Sequence, residues 1–346
     1  MKAATYHRYG SPNVVSIEEV DKPSPRPDEV LIKVHTSTVS AADFRSRSRI
    51  VPRGLAIPTA LSLGVFRPRN KVLGMDAAGV VEAIGSDVTT FAPGDEVVVM
   101  LGAKFGGHAE YVAVPQGAPI TRKPRNMSFE QAVTLPFGGL PALAALKQAN
   151  IKTGDTVLVN GASGAVGTAA VQLANHFGAH VTGVCSSRNT NLVESLGADR
   201  TIDYNVTDFT TEQQAYDVIV DCVGNAPFAR VENLIKPGGA LLLVIADLKS
   251  ALLASSQTKR TGKKVVVVNG KHTAGDLSYL VGLAEEGRYQ AVIDQTYTFS
   301  SIVDAHHAAD SGHKRGNIVL QVTTANSFTP DPPTTNTSAA PHRTRP

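Results

Sequence analysis

The segment VLVNGASGAVGTAAVQLA, residues 157–174, sets three glycines, Gly161, Gly164 and Gly167, between an apolar strand-like run and a helix-patterned one. Glycine costs up to ~1 kcal/mol against alanine inside a helix, so a stable core does not call for it there. Bare backbone at such a corner suits a phosphate. Read as Ala162-x-Gly164-x-x-Gly167, with Ser163, Ala165 and Val166 between, the stretch is a dinucleotide fingerprint with alanine replacing the first glycine. Gly164 would let the backbone approach a pyrophosphate, and Gly167 would let the helix pack close on the strand. The amides of Gly164, Ala165 and Val166 would face phosphate oxygens, helped by the helix dipole. The plain alternative is a tight strand–helix corner with no ligand.

The next strand decides which dinucleotide. An NAD site places an acid about 20 residues after the glycines, to hold the ribose 2′-hydroxyl. Here the chain reads VTGVCSSRN: Ser186, Ser187 and Arg188, with no acid before Glu194. Hydroxyls and a guanidinium suit a 2′-phosphate, and Tyr204 could add a hydroxyl, so NADP(H) is expected. The alternative for Arg188 is a solvated first-turn residue. Cys222 and Val223 follow a later strand. No base near Cys222 is apparent that would make it a nucleophile.

The elements that must position these residues change character along the chain. The first ~120 residues read as short strands (NVVSIEEV, EVLIKVHTSTV, AAGVVEAIG, DEVVVM, AEYVAVP) cut by SPRPD, GSD and APGD, a barrel-like pattern. SFEQAVTLPFGGLPALAALKQAN is helical but interrupted by Pro136 and Pro141. From residue 155, TVLVN, HVTGVCS, RTIDY, DVIVDCV, ALLLVIA and KVVVV alternate with helix-length segments, which implies βαβ units and a doubly wound parallel sheet. Residues 323–346 cannot build a core and are expected to be a disordered tail.

With 346 residues, 42% hydrophobic and 18% charged, the chain suffices for two domains. A net charge of +3 makes no case for nucleic acid or an anionic membrane, and no apolar run approaches the ~20 residues of a membrane span. The opening MKAATYHRYG lacks a signal peptide's apolar core, and the two cysteines, Cys185 and Cys222, read as reduced thiols; a cytoplasmic protein is expected.

Five motifs, MKAATYHRYGSPNVVSIEEVDKPSPRPDEVLIKVHTSTVSAAD, VLGMDAAGVVEAIGSDVTTFAPGDEV, GGHAEYVAVP, VLVNGASGAVGTAAVQLA and SLGADRTIDY, span residues ~1–322. Together they resemble the medium-chain dehydrogenase/reductase superfamily, in its zinc-free quinone oxidoreductase branch related to zeta-crystallin. The resemblance implies an α/β protein: a GroES-like β-barrel domain (1–126), a Rossmann NADP-binding domain (127–292), a return to the first domain (293–322) and an active-site cleft between them. It also implies a homodimer joined through the cofactor domain's sheet, and a ribose lined by Cys222 and Val223. Where zinc-dependent relatives carry cysteine and histidine, this chain has Ser40 and Met75, neither a useful zinc ligand. Quinones and α,β-unsaturated carbonyls, which spread the incoming charge themselves, are the implied acceptors. Zinc-free alcohol/ketone exchange, enoyl-thioester reduction and non-catalytic NADPH binding remain alternatives.

The branch usually places Asn-Pro before its Asp, where this chain has Ser40-Ala41-Ala42-Asp43. Ser40 and Asp43 are the catalytic candidates, with a structural role open for Asp43. Expected polar residues are absent at Pro141 and among residues 40–60, which hold no Tyr, so the proton donor is unassigned. Residues 44–71 hold six arginines, one lysine and no acid around GLAIPTALSLGVF. They read either as a greasy lid over the substrate or as a solvated basic loop. His306, His307 and His313 are expected on a surface helix and its exit, with no shared face for a metal.

Overall fold

Which faces of a strand are covered decides how it reads in sequence, and the chain contains both cases. A computed structural model describes residues 1–268 and 271–323. The first part runs β1 (Lys2–Tyr6), β2 (Val15–Glu19), β3 (Glu29–Val39), α1 (Ala41–Ser48), α2 (Ala56–Leu63), β4 (Asp76–Ile84), β5 (Glu96–Met100), β6 (Tyr111–Pro115) and β7 (Ile120–Arg122). Then α3 (Phe129–Ala132), a π-helical turn (Leu135–Gly139) and α4 (Leu140–Ala149) lead to β8 (Thr156–Asn160), α5 (Ala165–His176), β9 (His180–Cys185), α6 (Thr190–Ser195) and β10 (Arg200–Asp203). There follow β11 (Tyr216–Asp221), α7 (Phe228–Val231), β12 (Ile235–Leu243), α8 (Leu248–Thr261), β13 (Lys264–Val267) and α9 (Ala274–Glu285). β14 (Ile293–Thr298), α10 (Ile302–Asp310) and β15 (Asn317–Gln321) complete the described elements.

The continuous apolar runs form one parallel six-stranded sheet in the order β10-β9-β8-β11-β12-β13. Val157, Leu158 and Val159 of β8 and Ile219 and Val220 of β11 are fully buried. Helices cover both faces, so no polar alternation survives in these strands. The strand order reverses between β8 and β11, and a crevice opens beyond their carboxyl ends, where ligands of doubly wound sheets bind.

The short strands form a seven-stranded sheet, β14-β15-β3-β4-β5-β7 with β6 also on β3, antiparallel except for the β14–β15 pair. β3 carries two register shifts against β4, the irregularities that let a sheet curl. β15 pairs with β3, Ile318 opposite Val39, so the end of the described chain packs against its beginning. This is the expected α/β architecture, a GroES-like β-barrel and a Rossmann sheet with a cleft between them.

Some details differ from the sequence reading. KAATY forms β1, paired with β2, which no pattern had signalled. The two prolines do not simply break a helix: Pro136 lies inside the π-helical turn and Pro141 in the first turn of α4. His306 of α10 is fully buried rather than on the surface. Arg47, expected in a solvated or lid-like loop, is also fully buried; it donates to Asp310 at 2.6 Å and to the Gly10 carbonyl, tying α1 to α10. The apolar stretch around α2 buries none of the helix's own residues, and Ile57 and Phe66 are exposed. The expected disordered tail, 323–346, lies outside the described residues except for Thr323.

Candidate active site

A cavity of about 1110 Å³ lies between the two sheets, at the carboxyl ends of β8 and β11. The glycine turn forms its floor, and each glycine has a different reason to be there. Gly161 has φ +79°, and a Cβ on it would lie 2.7 Å from Val223. A Cβ on Gly167 would stand 2.0 Å from the Gly161 carbonyl oxygen, so the helix could not pack on the turn. Gly164 has an ordinary φ of −80°, and the nearest atom to its Cβ would be 3.6 Å away. The fold itself does not need glycine at 164; the cavity side is what stays bare.

α5 begins at Ala165 without a side-chain cap. The amides of Ala165 and Val166, both lining the cavity, are among the orphan donors of that first turn. The Gly164 amide, expected to face a phosphate, instead donates to the Gly161 carbonyl at 3.1 Å and closes the turn. Ala162 is fully buried in the core, where its amide donates to the Val184 carbonyl at 3.0 Å. Ser163 accepts from the Asn189 amide at 3.1 Å through its hydroxyl and from the Gly316 amide at 2.8 Å through its carbonyl.

Of the second-strand candidates, Arg188 and Tyr204 line the cavity, whereas Ser186 and Ser187 do not. Ser186 is buried and accepts from Asn189 at 3.2 Å; Ser187 is exposed. Arg188 reaches across the cleft and donates to the His313 carbonyl at 3.2 Å. Beside them lie Asn189, Thr207, and Arg230 paired with Asp208 at 2.9 Å, none of which sequence reasoning singled out. Asn189 directly follows Arg188, but Thr207 and Asp208 follow β10 and Arg230 lies on α7, so no local spacing could have joined them.

Cys222 and Val223 also line the cavity. Asp221, fully buried, positions them: its carboxylate accepts from the Asn160 side chain at 2.8 Å and from the amides of Val223, Gly224 and Ala226, each at 3.0 Å. Burial pushes the Cys222 thiol well above its ordinary value, so at neutral pH it is not a thiolate.

The structure gives Ser40 and Asp43 a structural task. Ser40 caps α1, and Asp43 Oδ2 accepts from the Ser40 amide at 2.7 Å and hydroxyl at 2.6 Å. Asp43 Oδ1 accepts from the Gly74 amide at 2.8 Å, so both oxygens of this fully buried carboxylate are engaged. Neither residue lines the cavity; Ala41, Ala42, Phe44 and Arg45 of the same helix do. Met75, Met100, Phe137, Val244, Ile245 and Val268 make the facing wall largely apolar. Of the basic apolar loop 44–71, Phe44 and Arg45 line the cavity and residues 46–71 do not. Among the described residues, no three His, Cys, Asp or Glu side chains are grouped to hold a metal.

These features fit a nicotinamide dinucleotide: a bare-backbone turn with free amides, a guanidinium at the rim of the second strand, and an apolar recess opposite. Comparison with known proteins agrees. Residues 26–125 match the alcohol dehydrogenase GroES-like domain, and residues 196–320 match a family described as zinc-binding dehydrogenase. The quinone-oxidoreductase QR1, chloroplastic, of Triphysaria versicolor is 35% identical over 343 residues, covering 93% of this chain and 98% of that protein. The NADPH-dependent alkenal/one oxidoreductase, chloroplastic, of Arabidopsis thaliana is 31% identical, covering 92% of this chain and 79% of that protein. The solved quinone oxidoreductase of Coxiella burnetii superposes with a TM-score of 0.83 at 30% identity, covering 93% of this chain and 99% of that one.

The cytoplasmic location expected from the sequence is overturned. Two of these relatives are named chloroplastic, and a mitochondrial NAD(P)H oxidoreductase of Bos taurus is 33% identical, covering 86% of this chain. A turn built for a dinucleotide, an apolar cleft beside it and full-length likeness to these reductases lead to one assignment: the chain belongs to the medium-chain dehydrogenase/reductase superfamily, in its zinc-free quinone oxidoreductase branch.

Proposed function

We propose that this protein is a zinc-independent, NADPH-dependent reductase of quinones or α,β-unsaturated carbonyls. The observation that carries the reading is the cleft itself: a dinucleotide turn that needs glycine at 164 only for a ligand, faced by a largely apolar wall. When bound, the reduced nicotinamide supplies a hydride. The Ala165 and Val166 amides, with the dipole of α5, hold the pyrophosphate. Arg188 and Tyr204 hold the 2′-phosphate, the guanidinium leaving the His313 carbonyl to do so. Phe44, Met75, Met100 and Phe137 hold a flat apolar acceptor and exclude water, so the protein's main contribution is positioning.

Two further assignments accompany this reading. Residues 1–126 with 293–322 form the substrate domain and 127–292 the cofactor domain, a division supported by β15 pairing with β3. The active form is a homodimer joined edge to edge. In support, β13 ends the parallel sheet with one strand partner, and the adjacent α8 buries only Ala254.

The test follows NADPH and NADH oxidation by chelator-treated protein with 9,10-phenanthrenequinone, an aliphatic enal, an enoyl-CoA and a simple ketone. Chelator-resistant oxidation of NADPH by the quinone or enal is expected. Cofactor binding without oxidation by any acceptor would overturn the catalytic reading.

A further inference from the structure

The chain as a whole carries a net charge of +3, but the charge is unevenly placed: residues 44–71 hold six arginines, one lysine and no acid. Two of these cations are taken up inside the protein, Arg47 against Asp310 and Arg45 at the cleft. Arg49, Arg53, Arg67, Arg69 and Lys71 have no ion-pair partner among the described residues. Asp247, the cap of α8, feels the Arg53 charge, yet its carboxylate is engaged by the Ser250 amide at 2.7 Å. The same segment holds Ile50, Ile57, Leu61, Val65 and Phe66. These are five of the twelve large apolar side chains that stand exposed among the described residues, so they form a patch and not scatter. Phe66 is 90% exposed and Ile57 74%.

The backbone beneath the patch is fastened to the body of the protein. The Tyr9 hydroxyl donates to the Gly64 carbonyl at 2.7 Å, the Arg69 amide to the Leu63 carbonyl at 2.8 Å, and the Leu248 amide to the Arg53 carbonyl at 3.0 Å. Gly64 has φ +114°, and a Cβ there would lie 2.1 Å from the Arg67 carbonyl oxygen, so the turn after α2 is tightly closed. The cations are set among the apolar side chains. The Arg49 guanidinium lies over the Tyr9 ring and donates to the Val65 carbonyl at 2.7 Å, and that of Arg69 reaches the Ser62 carbonyl at 3.3 Å. Ile57 and Leu61, four residues apart, share one face of α2, a helix that buries none of its own residues. A segment held this firmly with its apolar side chains left in water is shaped for something that covers them.

We propose that this patch docks the protein on an anionic lipid surface. Ile57, Leu61, Val65 and Phe66 enter the boundary between headgroups and acyl chains, while Arg53, Arg67, Arg69 and Lys71 meet lipid phosphates and carboxylates. Charge selects this occupant. A second copy of the chain would meet the patch with the same patch across a two-fold axis, setting unpaired cations against unpaired cations. A nucleic acid would satisfy the cations but leave the aliphatic side chains in water, and Phe66 is the one aromatic residue in 45–71 on which a base could stack. A bilayer with acidic headgroups satisfies both halves of the patch.

The test uses full-length protein and vesicles of phosphatidylcholine, alone or with phosphatidylserine as about a third of the lipid, read by co-sedimentation. Wild type should bind the anionic vesicles at low salt, at least about tenfold more tightly than the neutral ones, and high salt should weaken that binding. Arg67→Gln with Lys71→Gln removes two cations and should lose about fivefold per charge. Ile57→Ser with Phe66→Ser should lose about tenfold or more with an unchanged melting temperature, since neither side chain is buried. The chain has no tryptophan, so Phe66→Trp supplies a single reporter. Its emission should shift to the blue on anionic vesicles and be quenched by lipids brominated in the acyl chain. Absence of wild-type binding at low salt overturns the proposal. So does binding that leaves the Phe66→Trp emission unshifted, which assigns the contact to another face. A change of oligomeric state in the Ile57→Ser, Phe66→Ser variant gives the patch to a second copy and overturns it as well. No cofactor or acceptor enters these assays, so the docking proposal and the reductase reading fail separately.

Discussion

Gly164 and Gly167 should fail in opposite ways when each is replaced by alanine. At Gly164 the backbone φ is −80° and the added methyl would meet nothing closer than 3.6 Å. Alanine is a poorer N-cap than glycine by about 0.5–1 kcal/mol, but a stiffer unfolded chain returns about the same. The variant's melting temperature should therefore match wild type within a few degrees. Its methyl instead occupies the face of the turn that the pyrophosphate must approach. Displacing one charge-assisted hydrogen bond costs about 1.5–3 kcal/mol, or roughly 10- to 100-fold in cofactor Kd. At Gly167 the methyl would lie 2.0 Å from the Gly161 carbonyl oxygen, against rigid backbone. Relief requires moving α5 off the strand that carries the core, and the melting temperature should fall steeply. Thermal melts monitored by circular dichroism, with NADPH fluorescence titrations, separate the two. A Gly164→Ala protein that binds NADPH as wild type does would refute the assignment of this turn to the pyrophosphate.

Arg188→Ala should weaken NADPH by roughly 10-fold or more and leave NADH nearly unchanged, since only the former carries the 2′-phosphate. Equal losses in titrations with both cofactors would remove the guanidinium from that role. Asp43→Ala strands the buried amides of Ser40 and Gly74, at about 1–3 kcal/mol each, so urea unfolding should show a total loss of about 3–5 kcal/mol. A variant as stable as wild type but without turnover would restore Asp43 as a catalytic residue. Desolvation raises Asp76 from 3.8 to about 7 in the folded protein, so between those values the native state holds a proton that the unfolded chain has released. Its contribution to stability is thus present below about pH 4 and is lost as pH rises toward 7. Wild type should lose more stability than Asp76→Asn between pH 5 and pH 8 in urea melts; parallel losses would argue against the shifted carboxyl.

What could be read from the linear chain was what short-range physics encodes. Strands buried on both faces show as unbroken runs such as TVLVN and ALLLV, and the glycine corner shows because its constraints lie within seven residues. Ser40 and Asp43 were also legible, as a capping pair three residues apart, although the family pattern drew attention to catalysis instead. The identity of the second-strand loop was visible, but its use was not. Ser186 turns inward to Asn189, and only Arg188 and Tyr204 reach the cavity.

The sequence by itself determined the two kinds of sheet, the place of the dinucleotide turn and the absence of cysteine and histidine at the positions of Ser40 and Met75. Those follow from local patterns of apolar, bare and ligand-type residues. Only the tertiary structure decided which charges are buried and which face the cleft. Arg47 meets Asp310 across 263 positions of chain, and Arg188 meets His313 across 125. The physical reason is that a charged side chain's role depends on its desolvation and its partners, and both are set by distant segments brought together on folding.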